Sequence, residues 1–168
     1  MIEYWARIGF TAGLLLLAGA VQAEEKEVAV VEIGGAGEWG LQHGGSAAGP
    51  NVAVEFDVIE HWLEIEVGVT PLFSNGQAEV GTDLVFKKPF DLSDSVEFLI
   101  GAGPEWVHKA SGEKPTDSVA GEAIVELIYF PWPEHKTGFF IEQSYGYDFG
   151  KGHEQSLGVS GGLHIAVP

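Results

Sequence analysis

The sequence has no cysteine and, among its 168 residues, one methionine and a single arginine, Arg7. Without cysteine there are no disulfide staples and no thiol chemistry. Beyond Arg7 there is no guanidinium to clamp a phosphate or carboxylate in bidentate fashion. Basic residues are scarce altogether: 8 Lys and Arg stand against 25 Asp and Glu, a formal charge of −17. That balance excludes nucleic acid as a natural partner and offers no attraction to anionic head groups. After residue 23 no stretch has convincing helical periodicity. The one long apolar run, Ile8–Ala20, falls short of the ~20 residues a spanning helix needs.

That run belongs to a leader. Arg7 supplies a positive start, Ile8–Ala20 the apolar segment, and Val21-Gln22-Ala23 a small-residue cleavage site, so Met1–Ala23 is expected to be a secretory signal peptide. The mature chain then begins near Glu24, and losing Glu3 together with Arg7 leaves its charge unchanged. Residues 24–168 suit a single domain.

Within that domain the stretch Asn51–Lys87 reads as two β-hairpins sharing a strand. Val52, Val54, Phe56 and Val58 alternate with Ala53, Glu55 and Asp57; after a break at Ile59–Trp62, Leu63, Ile65, Val67 and Val69 alternate with Glu64, Glu66, Gly68 and Thr70. Period-two alternation puts successive side chains on opposite faces, here one apolar and one acidic or small. The register follows from the turns. Asn75-Gly76 is the pair a type I′ turn prefers, because both central residues need positive φ. Pairing Ser74 with Gln77 then sets Val67 against Leu84, Ile65 against Phe86, Glu66 against Val85 and Glu64 against Lys87. A short loop around Glu60-His61 sets Asp57 against Glu64 and Glu55 against Glu66, like charges that disfavour one another. Lys87 is thereby expected in one row with Glu64 and Asp57.

The remainder reads as strands divided by turn clusters. Strands are expected at about Val28–Trp39, Val96–His108, Val119–Phe130, Thr137–Phe149 and Gln155–Val167, with loops at Gly40–Pro50 and Lys109–Asp117 and a turn at Lys88–Ser95. The total is eight strands of roughly ten residues in meander order, an all-β fold that can close as an antiparallel up-and-down barrel. Pro104 must then occupy a bulge or lie beyond the hydrocarbon layer.

Facing decides what such a barrel is. With the apolar face inward it would be a soluble, exported lipocalin-like cup for an apolar small molecule, in the periplasm or secreted. With that face outward it is a membrane barrel. The apolar parity carries few charges within the strands, as lipid requires. Trp39, Phe73, Trp106, Tyr147 and Phe149 gather toward one end, and Phe90, Tyr129, Trp132 and Phe139 toward the other, as interfacial aromatics do. Small residues on the polar face, among them Gly34, Ala53, Gly68, Gly101, Gly146 and Gly162, suit a narrow lumen.

On these grounds, and on the proline-containing turn at Lys88-Pro89-Phe90 leading into the glycine-rich Phe98-Leu99-Ile100-Gly101-Ala102-Gly103-Pro104-Glu105-Trp106, the chain resembles the small eight-stranded outer-membrane barrels of Gram-negative bacteria, the OmpA/OmpX/OmpW-like group. The resemblance covers about Val28 to Val167, although such barrels usually end in an aromatic residue and this sequence ends Ile165-Ala166-Val167-Pro168. It implies a cell outer-membrane location, outer-membrane lipid as surroundings, a monomer, and a non-enzymatic envelope or interaction role.

The polar parity is densely acidic. It carries Glu32, Glu38, Glu55, Asp57, Glu64, Glu66, Glu79, Asp83, Glu97, Glu105, Glu122, Glu126, Glu142 and Asp148, with Lys87 the clear basic member. Crowded carboxylates in a confined space must be protonated, hydrated or bound to cations. A hydrated lumen with mobile counter-ions satisfies this. So does a cation site formed by Glu55, Asp57, Glu64 and Glu66, whose all-oxygen ligands favour calcium or another hard divalent ion over zinc. No organic cofactor is implied. Of the histidines, His43, His61, His108, His135 and His153 fall in or near loops, and His164 alone has inward parity within a strand. Gly158-Val159-Ser160-Gly161-Gly162 fits the nucleophile pattern G-x-S-x-G, but in mid-strand and with no acid after it, so it is taken as coincidence.

Overall fold

The computed structural model describes residues 29–42, 44–74, 76–110, 115–150 and 152–167. The expected leader, His43, Asn75 of the hairpin turn and the terminal Pro168 lie outside the described residues. Eight strands follow one another: β1 (Ala29–Gly40), β2 (Ser46–Ile59), β3 (Leu63–Ser74), β4 (Gln77–Ser93), β5 (Val96–Lys109), β6 (Thr116–Tyr129), β7 (Thr137–Asp148) and β8 (Gln155–Val167). Each pairs antiparallel with its neighbours, and β1 pairs with β8 from Ala29↔Val167 to Gly40↔Ser156, closing the barrel.

The expected register holds. Ser74 pairs with Gln77, Val67 with Leu84, Ile65 with Phe86 and Glu64 with Lys87, while Glu55 meets Glu66 and Asp57 meets Glu64. Gly76 has φ +82°, as the hairpin turn demands. The facing also holds. Val52, Ile65, Val67, Leu84 and Phe86 look outward, whereas Ala53, Glu55, Glu66 and Val85 are buried inside. An apolar-lined cup is thereby ruled out, because the parity that would line it clothes the outside.

Two connections are shorter than the sequence suggests. Lys88–Ser95 is not a turn: β4 continues through Pro89↔Leu99 and Phe90↔Phe98, leaving Asp94-Ser95 to reverse the chain. Proline and aspartate are turn formers, but Pro89 points into the barrel and Phe86, Phe90 and Leu92 maintain the outward period. Likewise β2 begins at Ser46 within the expected Gly40–Pro50 loop, with Ala48, Gly49 and Pro50 paired to Gly37, Ala36 and Gly35. Pro104 sits beside an interruption of the β4–β5 ladder between Asp83↔Glu105 and Phe86↔Ala102, and the register is unchanged across it, so no bulge is needed. A matching gap lies between Ala48↔Phe73 and Val52↔Val69, where Pro50 and Pro71 both lack the N–H a ladder would use.

Leu99, Ile128, Phe130 and Phe140 form an apolar cluster inside the end that carries Ala29 and Val167, termed the lower end. The rest of the interior is richer in carboxylates, with Leu72, Val85, Val107 and Ile124 buried among them. Outside, Lys88 donates to the His61 carbonyl at 2.9 Å and lies 5.9 Å from the Trp62 ring and 5.3 Å from the Phe90 ring. It thus keeps its ammonium at the barrel rim, above an apolar wall.

Candidate functional site: a charged cluster inside the barrel

The interior cluster is assembled by parity. Glu55 on β2, Glu66 on β3 and Lys87 on β4 face inward from neighbouring strands, and Glu126 projects from β6. Between β4 and β6 lies β5, which contributes Gly101 at this level through Lys87↔Gly101 and Gly101↔Ile124. A Cβ at Gly101 would meet Val85 Cγ1 at 2.8 Å, Ile124 Cγ1 at 2.9 Å and Lys87 Cγ at 3.1 Å. Glycine therefore leaves the space through which the lysine stem passes β5 to reach β6.

The Lys87 ammonium, with no exposed surface, donates to Glu126 Oε2 at 2.6 Å, to Glu55 Oε2 at 3.3 Å and to Glu66 Oε2. All three of its N–H groups are spent. Glu32 on β1 joins the same group, and its Oε1 meets Nδ1 of His164 on β8 at 2.9 Å. The His164 ring also stands edge-on to Phe130, with centroids 5.4 Å apart. One oxygen from each of Glu32, Glu55, Glu66 and Glu126 lies within 4.8 Å of the others. Among the described residues, Glu126 Oε1 is the one buried side-chain oxygen or nitrogen without a hydrogen-bond partner. Four carboxylates thus surround one ammonium, and burial removes the water that would otherwise screen them.

Free space inside the barrel is unevenly divided. The lower end opens into a cavity of about 500 Å³ whose walls include Glu55, Asp57, Glu64, Glu97, His61 and His164. The opposite end holds about 200 Å³ beside Glu38, Glu105 and Lys109, whose ammonium lies 3.5 Å from Glu79 and 3.4 Å from Glu154. The midsection retains only about 60 Å³ among Glu66, Asp83, Glu122, Glu142 and their neighbours. The rest is filled by side chains, as an eight-stranded barrel permits.

Of the four carboxylates expected to form a cation site, the structure brings Glu55 and Glu66 together at Lys87. Glu64 and Asp57 instead line the lower cavity, Asp57 at its exposed rim. Sequence reasoning placed Glu32 and Glu126 on the right face but not in this group. Their proximity arises across the lumen, and neighbour-to-neighbour register does not report it. The Gly101 gap opposite a long basic side chain was the available signal. His61, His135 and His153 lie in turns with φ of 56°, 53° and 50°, and His108 at a strand end meets Asp117 at 2.6 Å. Ser160 of the G-x-S-x-G stretch lies within β8 and donates to Glu142 at 3.3 Å, so the strand-to-helix elbow is missing there.

No protein-family model and no curated protein matches this sequence. Solved structures do match in shape. Neisserial surface protein A (NspA) superposes with a TM-score of 0.70 at 15% identity, over 83% of this chain and 97% of that one. Ail, the attachment invasion locus protein of Yersinia pestis, gives 0.54 at 14% identity, over 83% and 97%. The outer membrane enzyme PagL gives 0.53 at 13% identity, over 83% and 100%. At these identities the likeness is one of fold, and the fold is that of the small eight-stranded outer-membrane β-barrels.

Proposed function

We propose that this chain is a small outer-membrane β-barrel of the Gram-negative envelope, non-enzymatic, acting through its ends and holding small cations in its acidic lumen. One observation carries the reading. Along the outward parity of all eight strands, Lys88 and Asp117 are the only charged Lys, Asp or Glu side chains among the described residues; Asp117 is the second residue of β6, and the Lys88 ammonium reaches the turn between β2 and β3 at the His61 carbonyl. Large apolar side chains such as Ile33, Phe56, Val67, Ile100, Leu127 and Ile141 stand 41–57% exposed around the whole circumference. A band of that extent is costly in water and is what hydrocarbon requires. The closed ring leaves no sheet edge, which fits a monomer with lipid as its immediate partner.

Support for a non-enzymatic role comes from the filled midsection and from the mid-strand position of Ser160, although PagL shows that the fold can carry an enzyme. Cell fractionation tests the location. The protein should partition with outer membranes and run faster unheated than heated on a denaturing gel; release by osmotic shock would sink the reading. Incubation of the refolded protein with outer-membrane lipids should leave their masses unchanged, and any cleaved acyl chain would overturn the non-enzymatic part.

A further inference from the structure

We propose that the lower cavity binds one linear aliphatic polyamine, its ammonium groups set among the carboxylates of the wall. The inference rests on the reading that the lumen holds cations, and it names the place and the chemical class. The cavity measures about 500 Å³, within the ~300–1,000 Å³ of ordinary small-molecule pockets. Asp and Glu supply six of the residues lining it, and none is Lys or Arg. Ile128 and Phe130 add apolar surface, against which methylene links can lie while the charged groups reach the acids.

Two buried side chains, both outside the group closed around Lys87, point to an occupant. Glu64 is 8% exposed and lines the cavity. Its partner on β4 is Lys87, yet that ammonium is taken by Glu55, Glu66 and Glu126. Its partner on β2 is Asp57, a like charge. Among the described residues the Glu64 carboxylate is therefore left without a cation or a donor, a costly state for a buried charge. His164 is 6% exposed, and its one hydrogen bond joins Nδ1 to Glu32 at 2.9 Å. With the Nδ1 proton facing a carboxylate, Nε2 keeps a lone pair, on a residue that also lines the cavity. The imidazole is not one of the acids, and it too calls for an N–H donor.

The spacing selects the class of cation. Among the described residues, only the four carboxylates around Lys87 bring three or more ligands close enough together for a single metal ion. The cavity acids come instead from four strands, β2 to β5, and from the turn at Glu60. Charges spread in that way suit several ammonium groups on one chain, each with N–H donors and no acceptor. An anion would be repelled, and a neutral apolar guest would leave the carboxylates unpaired. Asp57 stands at the exposed rim, so the mouth opens to water.

The test uses the full chain refolded in uncharged detergent at low salt, with spermidine as the probe. Calorimetry should show one saturable spermidine per barrel, with a raised melting temperature and much weaker binding of n-butylamine, which carries a single charge. Glu64→Gln should weaken spermidine binding roughly tenfold or more, since hydrogen bonds to a charged group are lost, while Glu105→Gln at the opposite end leaves it unchanged. If Glu64→Gln gives no heat-modifiable folded band, Glu97→Gln replaces it with the same expected loss. Equal weakening at both ends means that net charge alone attracts the probe, and it overturns the site, as does binding indifferent to both substitutions. Equal affinity for n-butylamine overturns the polyamine assignment. No saturable spermidine binding, where calcium titrated alone does bind, overturns this site and spares the cation-holding lumen; binding of neither overturns both.

Discussion

A lysine whose three donors all end on carboxylates in a dry interior cannot be shortened without setting those acids against one another. In chelator, Lys87→Met should lower unfolding stability by about 3–5 kcal/mol, the usual cost of breaking a buried ion pair from one side. Urea unfolding in lipid vesicles measures it. Lys87→Met combined with Glu126→Gln should recover part of the loss, because one of the stranded charges is gone. If the single variant is as stable as the parent, water or mobile ions already screen the cluster. The residue scale is also where the sequence was least complete. Lys87 does sit level with Glu64, as the Asn-Gly turn implied. Its ammonium nevertheless runs along the barrel axis to Glu66 and across it to Glu126, guided by the missing side chain of Gly101. Pairing rules describe strands that touch, and Glu126 is two strands away.

At the scale of elements, closure of β1 on β8 depends on two glycines facing each other, Gly34 and Gly162. A Cβ on Gly162 would lie against the Ile33 carbonyl and, at 2.5 Å, the Gly34 Cα; one on Gly34 would collide with the Gly161 backbone. Gly162→Val should therefore keep the last seam from forming, and the fast-migrating unheated band should vanish. Gly35→Ala, whose new atom would meet Gly49 O at an ordinary 3.7 Å, should fold normally. Loss of folding in both variants would remove the seam as the cause. Strand existence, order and facing were legible because a side-chain period of two leaves only one consistent choice of face. Strand ends were not. Pro89, Asp91 and Gly49 look like loop residues taken alone, yet each continues a ladder whose partner strand is fixed from elsewhere.

For the whole molecule, the narrow midsection sets what can pass. With about 60 Å³ free among the central carboxylates and the apolar cluster of Leu99, Ile128, Phe130 and Phe140 below, planar-bilayer recordings should show no steady open level. A stable conductance step would mean that the interior rearranges. The aromatic rims carry a further consequence. On β5 they are marked by Phe98, against Phe90, and by Trp106. At ~3.3 Å per residue and a tilt of about 40°, the height between them is roughly 20 Å, less than the ~25 Å usual for such bands. Short-chain phosphatidylcholine should accept the barrel faster and more completely than long-chain phosphatidylcholine, and thicker bilayers would have to thin around it, so hydrophobic mismatch would make insertion a gauge of local membrane thickness.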